Sequence, residues 1–448
     1  MVLPSFGTDG VRGVANTDLT PEVALALGRA AAGVLGGDTF VIGRDPRRSG
    51  PMLEAALAAG LAASGASVEL LGVVPTPTVA WVCAERQLPG AMISASHNPF
   101  ADNGIKLFAA GGIKLSDAAE ADIQARFHAI LTDGANTTAA PTGAGVGEIT
   151  SHDPCDDWVH SVVESLGGRK LDGARVVLDG ANGAASIVGP MVFEELGAHV
   201  TVIGNEPDGL NINLERGSTS PAALQAAVVE HSADMGLAFD GDADRLIAVD
   251  HTGAIVDGDH ILAILANDWA ASGRLRHNTL VVTVMSNLGL HLAMREAGIE
   301  VRQTGVGDRY VLAELDAGNF SLGGEQSGHV ICRDLATTGD GVLAAAQLAD
   351  AVVRSGSSLA ELASNAMSTV PQVLKNVRLP ARDPELLAKL SPHIEAAEAE
   401  LGTQGRVLVR ASGTEPLIRV MVEHLDAATA ERICAQLVQT TQSFVTGG

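Results

Sequence analysis

Three aspartates alternate with small residues in Phe239-Asp240-Gly241-Asp242-Ala243-Asp244-Arg245. In a locally extended loop alternate side chains project to one side, so Asp240, Asp242 and Asp244 would converge. Like charges that close repel unless a cation sits among them. An all-oxygen ligand set on a short loop suits magnesium completed by a phosphate oxygen. A calcium EF-hand loop fits poorly, because Arg245 falls where that loop needs Gly and His251 where it needs a bidentate Glu. The apolar runs 236–239 and 246–249 on either side argue against a solvated Asp/Gly turn.

Other loops hold groups that could act with such a metal. Ile93-Ser94-Ala95-Ser96-His97-Asn98-Pro99 sets a serine between small and polar residues at a Pro-terminated turn, and Lys106 follows closely enough to fold back beside it. An ordinary Asn-Pro turn with a solvated serine accounts for that loop equally well. A serine hydrolase is disfavoured, since Ser96 lacks the G-x-S-x-G elbow. Arg410-Ala411-Ser412-Gly413-Thr414-Glu415-Pro416, with Arg419 nearby, offers hydroxyls, backbone N–H groups and two guanidiniums, the makings of a phosphate cradle. Thr8-Asp9-Gly10-Val11-Arg12-Gly13 sets another arginine between glycines, suited to stabilising a transferring phosphoryl group. In Gly323-Gly324-Glu325-Gln326-Ser327-Gly328-His329, glycines allow close backbone approach while Glu and Ser could bind sugar hydroxyls. Thr304-Gly305-Val306-Gly307-Asp308-Arg309 is ambiguous in the same way.

These loops need elements to aim them. An apolar strand, an Ala/Leu-rich helix, a stop at Gly and a second strand recur three times, with first strands Phe40–Ile42, Val176–Leu178 and Leu280–Val282 and stops at Gly65, Gly197 and Gly298. Strand–helix–strand units imply parallel crossovers and sheets covered on both faces. The expected fold is therefore α/β: three related mixed-sheet domains with helices on both faces, plus a smaller C-terminal α+β domain. The latter holds strand-like runs at 373–379, 407–409 and 418–422 and a closing helix over 427–445 with Ile433, Leu437 and Phe444 on one face. Thr20-Pro21-Glu22 predicts a helix start with an N-cap and Pro at the first helical position. In open parallel sheets ligands bind beyond the carboxyl ends of the strands, which is where the polar loops fall.

Composition narrows the class. The 448 residues carry a net charge of -24, which argues against nucleic acid, whose binding needs clustered Lys and Arg, and disfavours anionic membranes. Only 3% are aromatic, so the cores must be aliphatic. Cys83, Cys155, Cys332 and Cys434 lie far apart with no C-x-x-C pair, as expected of buried thiols in a reducing compartment. No secretory leader pattern and no sufficiently long apolar segment occur, so a cytoplasmic protein without membrane association is expected.

The segments TDGVRG at 8–13, SASHNP at 94–99, DNGIK at 102–106, DGDADR at 240–245, GEQSGH at 324–329 and RASGTEP at 410–416 together resemble the α-D-phosphohexomutase superfamily, and its branch acting on glucosamine phosphates. They stand in the family's order and span the chain. The resemblance implies four domains around a central cleft: 1–152 with a phosphoserine loop, 153–251 with the metal loop, 252–367 with the sugar loop and 368–448 with the phosphate loop. By resemblance Ser96 is the phosphoserine, and its phosphate joins Asp240, Asp242 and Asp244 around Mg2+. Arg12, His97, Lys106, Arg245 and His329 match charged or proton-shuttling positions, with Lys106 favoured as general base and acid through a pKa lowered by burial and nearby cations. Glu325 and Ser327 match sugar-hydroxyl readers, with Thr304 and Gly305 beside them. Arg410, Ser412, Gly413, Thr414 and Arg419 match the grip on the phosphate not being transferred.

The implied reaction interconverts glucosamine 6-phosphate and glucosamine 1-phosphate through glucosamine 1,6-bisphosphate, which also serves as activator. Its product would feed UDP-N-acetylglucosamine and cell-wall precursor synthesis. A homodimer is compatible with the family. Two positions depart from its pattern: Pro46, where relatives more often carry Thr, and Ala101, where a second aromatic is expected. A phosphomannomutase/phosphoglucomutase would share the same catalytic groups, but Gln326 and the SASHNP form of the serine loop favour glucosamine. A non-catalytic sugar-phosphate sensor would have no need of the serine, the aspartates and Lys106.

Overall fold

The computed structural model describes residues 10–133, 140–381, 383, 385–411 and 416–446. Each predicted strand–helix–strand unit is present. Its stop glycine adopts the left-handed conformation that ends a helix, at φ 97° for Gly65, 89° for Gly197 and 72° for Gly298.

The first sheet contains β1 (Val11–Val14), β2 (Thr39–Arg44), β3 (Ser67–Val73), β4 (Gly90–Ile93), β5 (Asp102–Ala109), β6 (Ile113–Lys114) and β7 (Ile149–Ser151), ordered β1-β5-β4-β2-β3-β7 with β6 on β5. The second contains β8 (Arg175–Asp179), β9 (His199–Ile203), β10 (Met235–Phe239), β11 (Leu246–Asp250) and β12 (Ile255–Val256), ordered β12-β11-β10-β8-β9. The third contains β13 (Thr279–Thr283), β14 (Glu300–Thr304), β15 (Leu322–Gly324) and β16 (Val330–Cys332), ordered β14-β13-β15-β16.

All three sheets share a four-strand pattern. The strand before the glycine-stopped helix (β2, β8, β13) pairs in parallel with the strand after it and with a third strand (β4, β10, β15). The third strand then returns antiparallel as β5, β11 or β16. The serine, aspartate and Glu325 loops are the three turns at this return, so one topological position is used three times.

Alternation along the strands shows why both faces are covered. Phe40, Ile42, Ala91, Ile93, Ile105 and Leu107 join one apolar cluster with residues of helices Pro21–Leu35, Gly50–Ala62 and Asp117–Asp133. Val41, Met92 and Phe108, offset by one residue, join another with helix Thr76–Arg86. Thr20 caps its helix as expected, accepting from the Val23 N–H at 3.4 Å.

The chain forms two units, Met1–Met285 with Ile299–Ala366 and Ser286–Gly298 with Met367–Gly448. The second has a three-stranded antiparallel sheet, β17 (Gln372–Arg378), β18 (Gly405–Ala411) and β19 (Leu417–His424), ordered β17-β19-β18. Helices Leu386–Leu401 and Ala427–Thr446 contribute Leu386, Leu390, Ile433 and Leu437 to a core with Ile418, Val420 and Val422. Phe444 departs from the expected buried face: it is 39% exposed, its ring 5.9 Å from His393. It falls in the last helical turn, beyond the buried Leu437 and Thr441. Helix Leu288–Glu296 belongs to this unit through the buried Glu423, which accepts from Leu288 N–H at 2.9 Å, Asn287 Nδ2 at 3.1 Å and Arg406 Nε at 2.5 Å.

Cys83, Cys332 and Cys434 are buried free thiols and Cys155 is partly covered. Burial pushes the thiols of Cys83, Cys155 and Cys332 up to about 12, which leaves them protonated at neutral pH. Among the described residues, no helix is long and apolar enough to cross a membrane.

Candidate active site

Ser96 is only 2% exposed, and its Oγ donates to Asp240 Oδ2 at 2.6 Å, joining the first and second loops across 144 residues. His97 Nδ1 lies 3.3 Å from the same hydroxyl. The backbone at Ser96 is left-handed, φ 51°, a conformation costly for any residue but glycine. Ser94 helps to hold it: its Oγ accepts from the Ser96 N–H at 2.9 Å and donates to Asp45 Oδ2 at 2.6 Å.

The three aspartates converge, but on a turn rather than the extended loop their spacing suggested: Ala243 N–H donates to Asp240 O at 3.0 Å and Ala243 is left-handed, φ 59°. Asp240, Asp242 and Asp244 are buried, and one carboxylate oxygen from each lies within 4.8 Å of the others. Burial, then Asp244 and Asp242, push Asp240 up to about 8; burial and Asp244 likewise raise Asp242. Asp242 Oδ2 accepts from Thr76 Oγ1 at 2.6 Å, whereas Asp242 Oδ1 and Asp244 Oδ1 are buried without a hydrogen-bond partner among the described residues. Carboxylates crowded together with orphaned oxygens are what a divalent cation satisfies, so this donor set fits a hard metal ion.

Cationic groups flank the carboxylates. Lys106 Nζ is 3.5 Å from Asp244 Oδ2. His329, buried, stands between Asp244 (Nδ1 to Oδ1, 3.6 Å) and Asp308 (Nε2 to Oδ2, 3.4 Å). Burial opposes its charge, yet Asp244 above all, then Asp308 and Glu325, raise its pKa above the usual imidazole value. Burial would raise Asp244, but His329, Lys106 and Arg245 hold it well below the carboxylate range. Asp308 falls to about 2: burial opposes, and Lys114, which pairs with it, outweighs burial together with His329 and Lys106. Arg245 donates its backbone N–H to Asp240 Oδ1 at 3.2 Å, with its Nε 3.9 Å from Asp244 Oδ1. Arg12 on β1 pairs with Gly104 on β5, two residues from Lys106.

Glu325 is oriented from two sides. Its Oε1 accepts from Gly307 N–H at 3.1 Å and its Oε2 from Ser327 Oγ at 3.4 Å, the latter residue exposed. Gly328 can only be glycine, because at φ 93° a Cβ there would lie 2.1 Å from Leu246 O. Thr304 is buried and its hydroxyl donates to Gly305 O at 3.0 Å, while Gly305 itself is exposed.

In the second unit Arg410 and Arg419 face one another across β18 and β19. Burial and then Arg419 push Arg410 below its ordinary value, and Arg419 Nε is buried without a hydrogen-bond partner among the described residues. Like charges directly opposed on neighbouring strands destabilise a sheet, a cost that a bound anion would offset. Ser412, Gly413 and Thr414, together with Thr8 and Asp9, lie outside the described residues.

Several contributing residues carry no local signal. Asp45, Arg47, Thr76, Lys114 and Asn213 reach the site from elements remote in sequence; Thr76 meets Asp242 across 166 residues. Asp308 lies in the stretch 304–309, whose sequence is ambiguous, and only its closeness to glycines hints at function. Arg309 of that loop turns elsewhere, to Asp117 at 2.9 Å and to Glu120.

Behind His329, Asp340 caps helix Gly341–Ser355, accepting from Leu343 N–H at 2.9 Å. Burial pushes its carboxyl up to about 7 despite hydrogen bonds that oppose the shift. An acid whose folded pKa exceeds its unfolded one contributes less stability as pH rises from about 4 through 7. Asp340→Asn keeps the cap and removes that charge. Its Tm relative to the parent is therefore expected to rise between pH 5 and pH 8, by the equivalent of about 2–4 kcal/mol at most. A thermal-melt series over that range checks it; a pH-independent difference would contradict it.

Family models match the chain in four consecutive stretches. These are phosphoglucomutase/phosphomannomutase alpha/beta/alpha domain I at residues 4–133, domain II at 156–253, domain III at 257–370 and the C-terminal domain at 374–440. A phosphoglucosamine mutase of Saccharopolyspora erythraea is 55% identical over 97% of this chain and 98% of its own length. One from Rhodococcus opacus is 52% identical over 98% and 99%. Among solved structures, a phosphoglucomutase/phosphomannomutase family protein from Burkholderia thailandensis superposes with a TM-score of 0.82 at 26% identity, covering 100% and 98% of the two chains. An Aspergillus fumigatus N-acetylphosphoglucosamine mutase, solved with GlcNAc-6P and magnesium, gives 0.71 at 17% identity over 99% and 96%, a likeness of fold. With every stretch matched in order and such identity over nearly its full length, the chain belongs to the phosphoglucomutase/phosphomannomutase family of phosphohexomutases.

Proposed function

We propose that the chain is a phosphoglucosamine mutase that interconverts glucosamine 6-phosphate and glucosamine 1-phosphate through a phosphoserine at Ser96. One observation carries the reading: the Ser96 hydroxyl, inaccessible to bulk water, is hydrogen-bonded at 2.6 Å to one of three converging carboxylates. Two relatives above 50% identity, both phosphoglucosamine mutases, support glucosamine as the sugar. The four matched stretches support the four-domain reading, with the serine, metal, sugar and phosphate loops one to each. The buried free thiols and acidic charge suit the cytoplasm.

Asp240, Asp242 and Asp244 would hold magnesium, which when bound neutralises charge on the transferring phosphoryl group. In the forward direction the phosphorus–Oγ bond of phosphorylated Ser96 breaks as a bond from phosphorus to O1 of glucosamine 6-phosphate forms. The O1 proton passes through Lys106 to Ser96 Oγ, restoring the hydroxyl that donates to Asp240. Arg12, Arg245 and His329 remain cationic around the transfer, and His97 lies against the hydroxyl. Glu325 and Ser327, with Thr304 and Gly305 beside them, read the sugar, and Arg410 and Arg419 with Ser412, Gly413 and Thr414 hold the phosphate that stays. The 1,6-bisphosphate then reverses and returns its 6-phosphoryl group to Ser96, releasing glucosamine 1-phosphate.

A coupled assay with glucosamine, glucose and mannose 6-phosphates, with and without magnesium and a bisphosphate activator, tests this. The expected result is magnesium-dependent turnover with kcat/KM highest for glucosamine; a preference for glucose or mannose would assign the chain to another branch.

A further inference from the structure

Side chains hold both peptide groups flanking Ser96, and the carbonyl is held from outside the serine loop. Its carbonyl accepts from Arg47 Nη2 at 2.8 Å and from Asn213 Nδ2 at 2.9 Å. Arg47 belongs to the loop after β2, and Asn213 to a loop of the second sheet's domain. The Arg47 guanidinium also donates to Asn98 O at 2.9 Å, Asp102 O at 3.2 Å and Pro99 O, and Asn213 Nδ2 donates to Asn98 O at 3.1 Å. Four carbonyls between Ser96 and the start of β5 thus converge on a single buried arginine, whose charge is balanced by Asp45 Oδ2 at 2.8 Å from its Nε. The same Asp45 oxygen accepts from Ser94 Oγ, which in turn accepts from the Ser96 N–H. Gly241 closes the remaining side, since a Cβ there would lie 2.6 Å from Ser96 O.

Such a frame does more than pack. A serine held at positive φ returns to an ordinary backbone conformation unless its neighbours over-determine it. Until a cation is bound, a phosphoserine of charge about −1.5 to −2 beside three carboxylates adds a force outward from the metal loop. Phosphoryl transfer tolerates displacement of the attacking or leaving oxygen by only a fraction of an ångström before rate is lost. We propose that Arg47 and Asn213 are positioning residues for phosphoryl transfer: they clamp the Ser96 carbonyl from two domains and keep Oγ over the metal loop in both its free and phosphorylated states. This rests on the reading of Ser96 as the phosphoryl carrier.

Two variants separate positioning from packing. Asn213→Asp keeps volume and suits the left-handed backbone at that residue, φ 59°, but turns a donor into a carboxylate facing two carbonyls. Arg47→Lys keeps the charge opposite Asp45 and loses the planar fork. Both are assayed beside the parent with the hexose phosphate that the parent turns over, bisphosphate activator and magnesium. The expected result is kcat lower by about 10- to 100-fold with KM within about 3-fold, and intact mass still showing phosphate on the serine. Folded variants with kcat within twofold of the parent, or a kcat loss matched by an equal rise in KM, would overturn the inference. Asn213 is only partly buried, so Asn213→Asp carries the test if Arg47→Lys fails to fold. A parent with neither phosphoserine nor turnover would remove the reading of Ser96 itself, a result visible in the parent arm alone.

Discussion

Ser96→Ala is expected to turn glucosamine 6-phosphate over at least about ten-thousand-fold more slowly than the parent, the scale on which loss of a nucleophile acts. Neighbouring hydroxyls cannot substitute, because each is already engaged: Ser94 Oγ donates to Asp45 at 2.6 Å and Thr76 Oγ1 to Asp242 at 2.6 Å. Stability should change little by comparison. Alanine in the same left-handed backbone costs roughly 1 kcal/mol, and the hydrogen bonds to the Ser96 peptide remain. Two measurements check the argument, the coupled assay and intact mass after incubation with a sugar bisphosphate. The parent should gain one phosphate that phosphatase removes, and the variant none. A residual rate within tenfold of the parent would exclude Ser96 as the carrier.

Asp242→Asn should move activity and stability in opposite directions. Burial and Asp244 already disfavour the Asp242 charge, so without metal the parent carries an electrostatic penalty that asparagine relieves. The amide oxygen can still accept from Thr76, so that bond survives. Metal-free variant is therefore expected to be more stable than metal-free parent by about 1–2 kcal/mol, with a Tm a few degrees higher. Magnesium-dependent turnover should fall by about two orders of magnitude, since a ligand to the ion that neutralises the transferring group is lost. Magnesium should raise the Tm of the parent, and EDTA reverse it, with a smaller response in the variant. A parent whose melting ignores magnesium and EDTA would rule out a metal at these carboxylates.

Much of this site is legible in the chain because its signals are local. Three aspartates within five residues mark a candidate metal loop by type and closeness alone, and the structure places them together through a tight turn with Ala243 at φ 59°. The glycine stops at 65, 197 and 298 likewise mark helix ends through backbone sterics alone. Phe444 shows the limit: its helical spacing matches Ile433 and Leu437, but spacing does not say where the covering sheet ends.

What chemistry each group can do was less accessible. The sequence offers Lys106 as the favoured proton carrier and His329 as the second. Folding sets His329 between Asp244 and Asp308, which stabilise its charged form, and brings Asp244 to 3.5 Å from Lys106 Nζ. Neither neighbour can be inferred from local pattern, since Asp308 and Lys114 meet across 194 residues and Ser96 and Asp240 across 144. The same holds for Arg47 and Asn213, which read as ordinary loop residues until their donors are seen to end on one carbonyl. The sequence by itself determined the strand–helix–strand elements and their glycine stops and marked the polar loops after them, because periodicity and backbone sterics act over a few residues. Only the tertiary structure decided protonation, orientation and support, because those depend on charges and hydrogen bonds that long-range packing brings within a few ångströms.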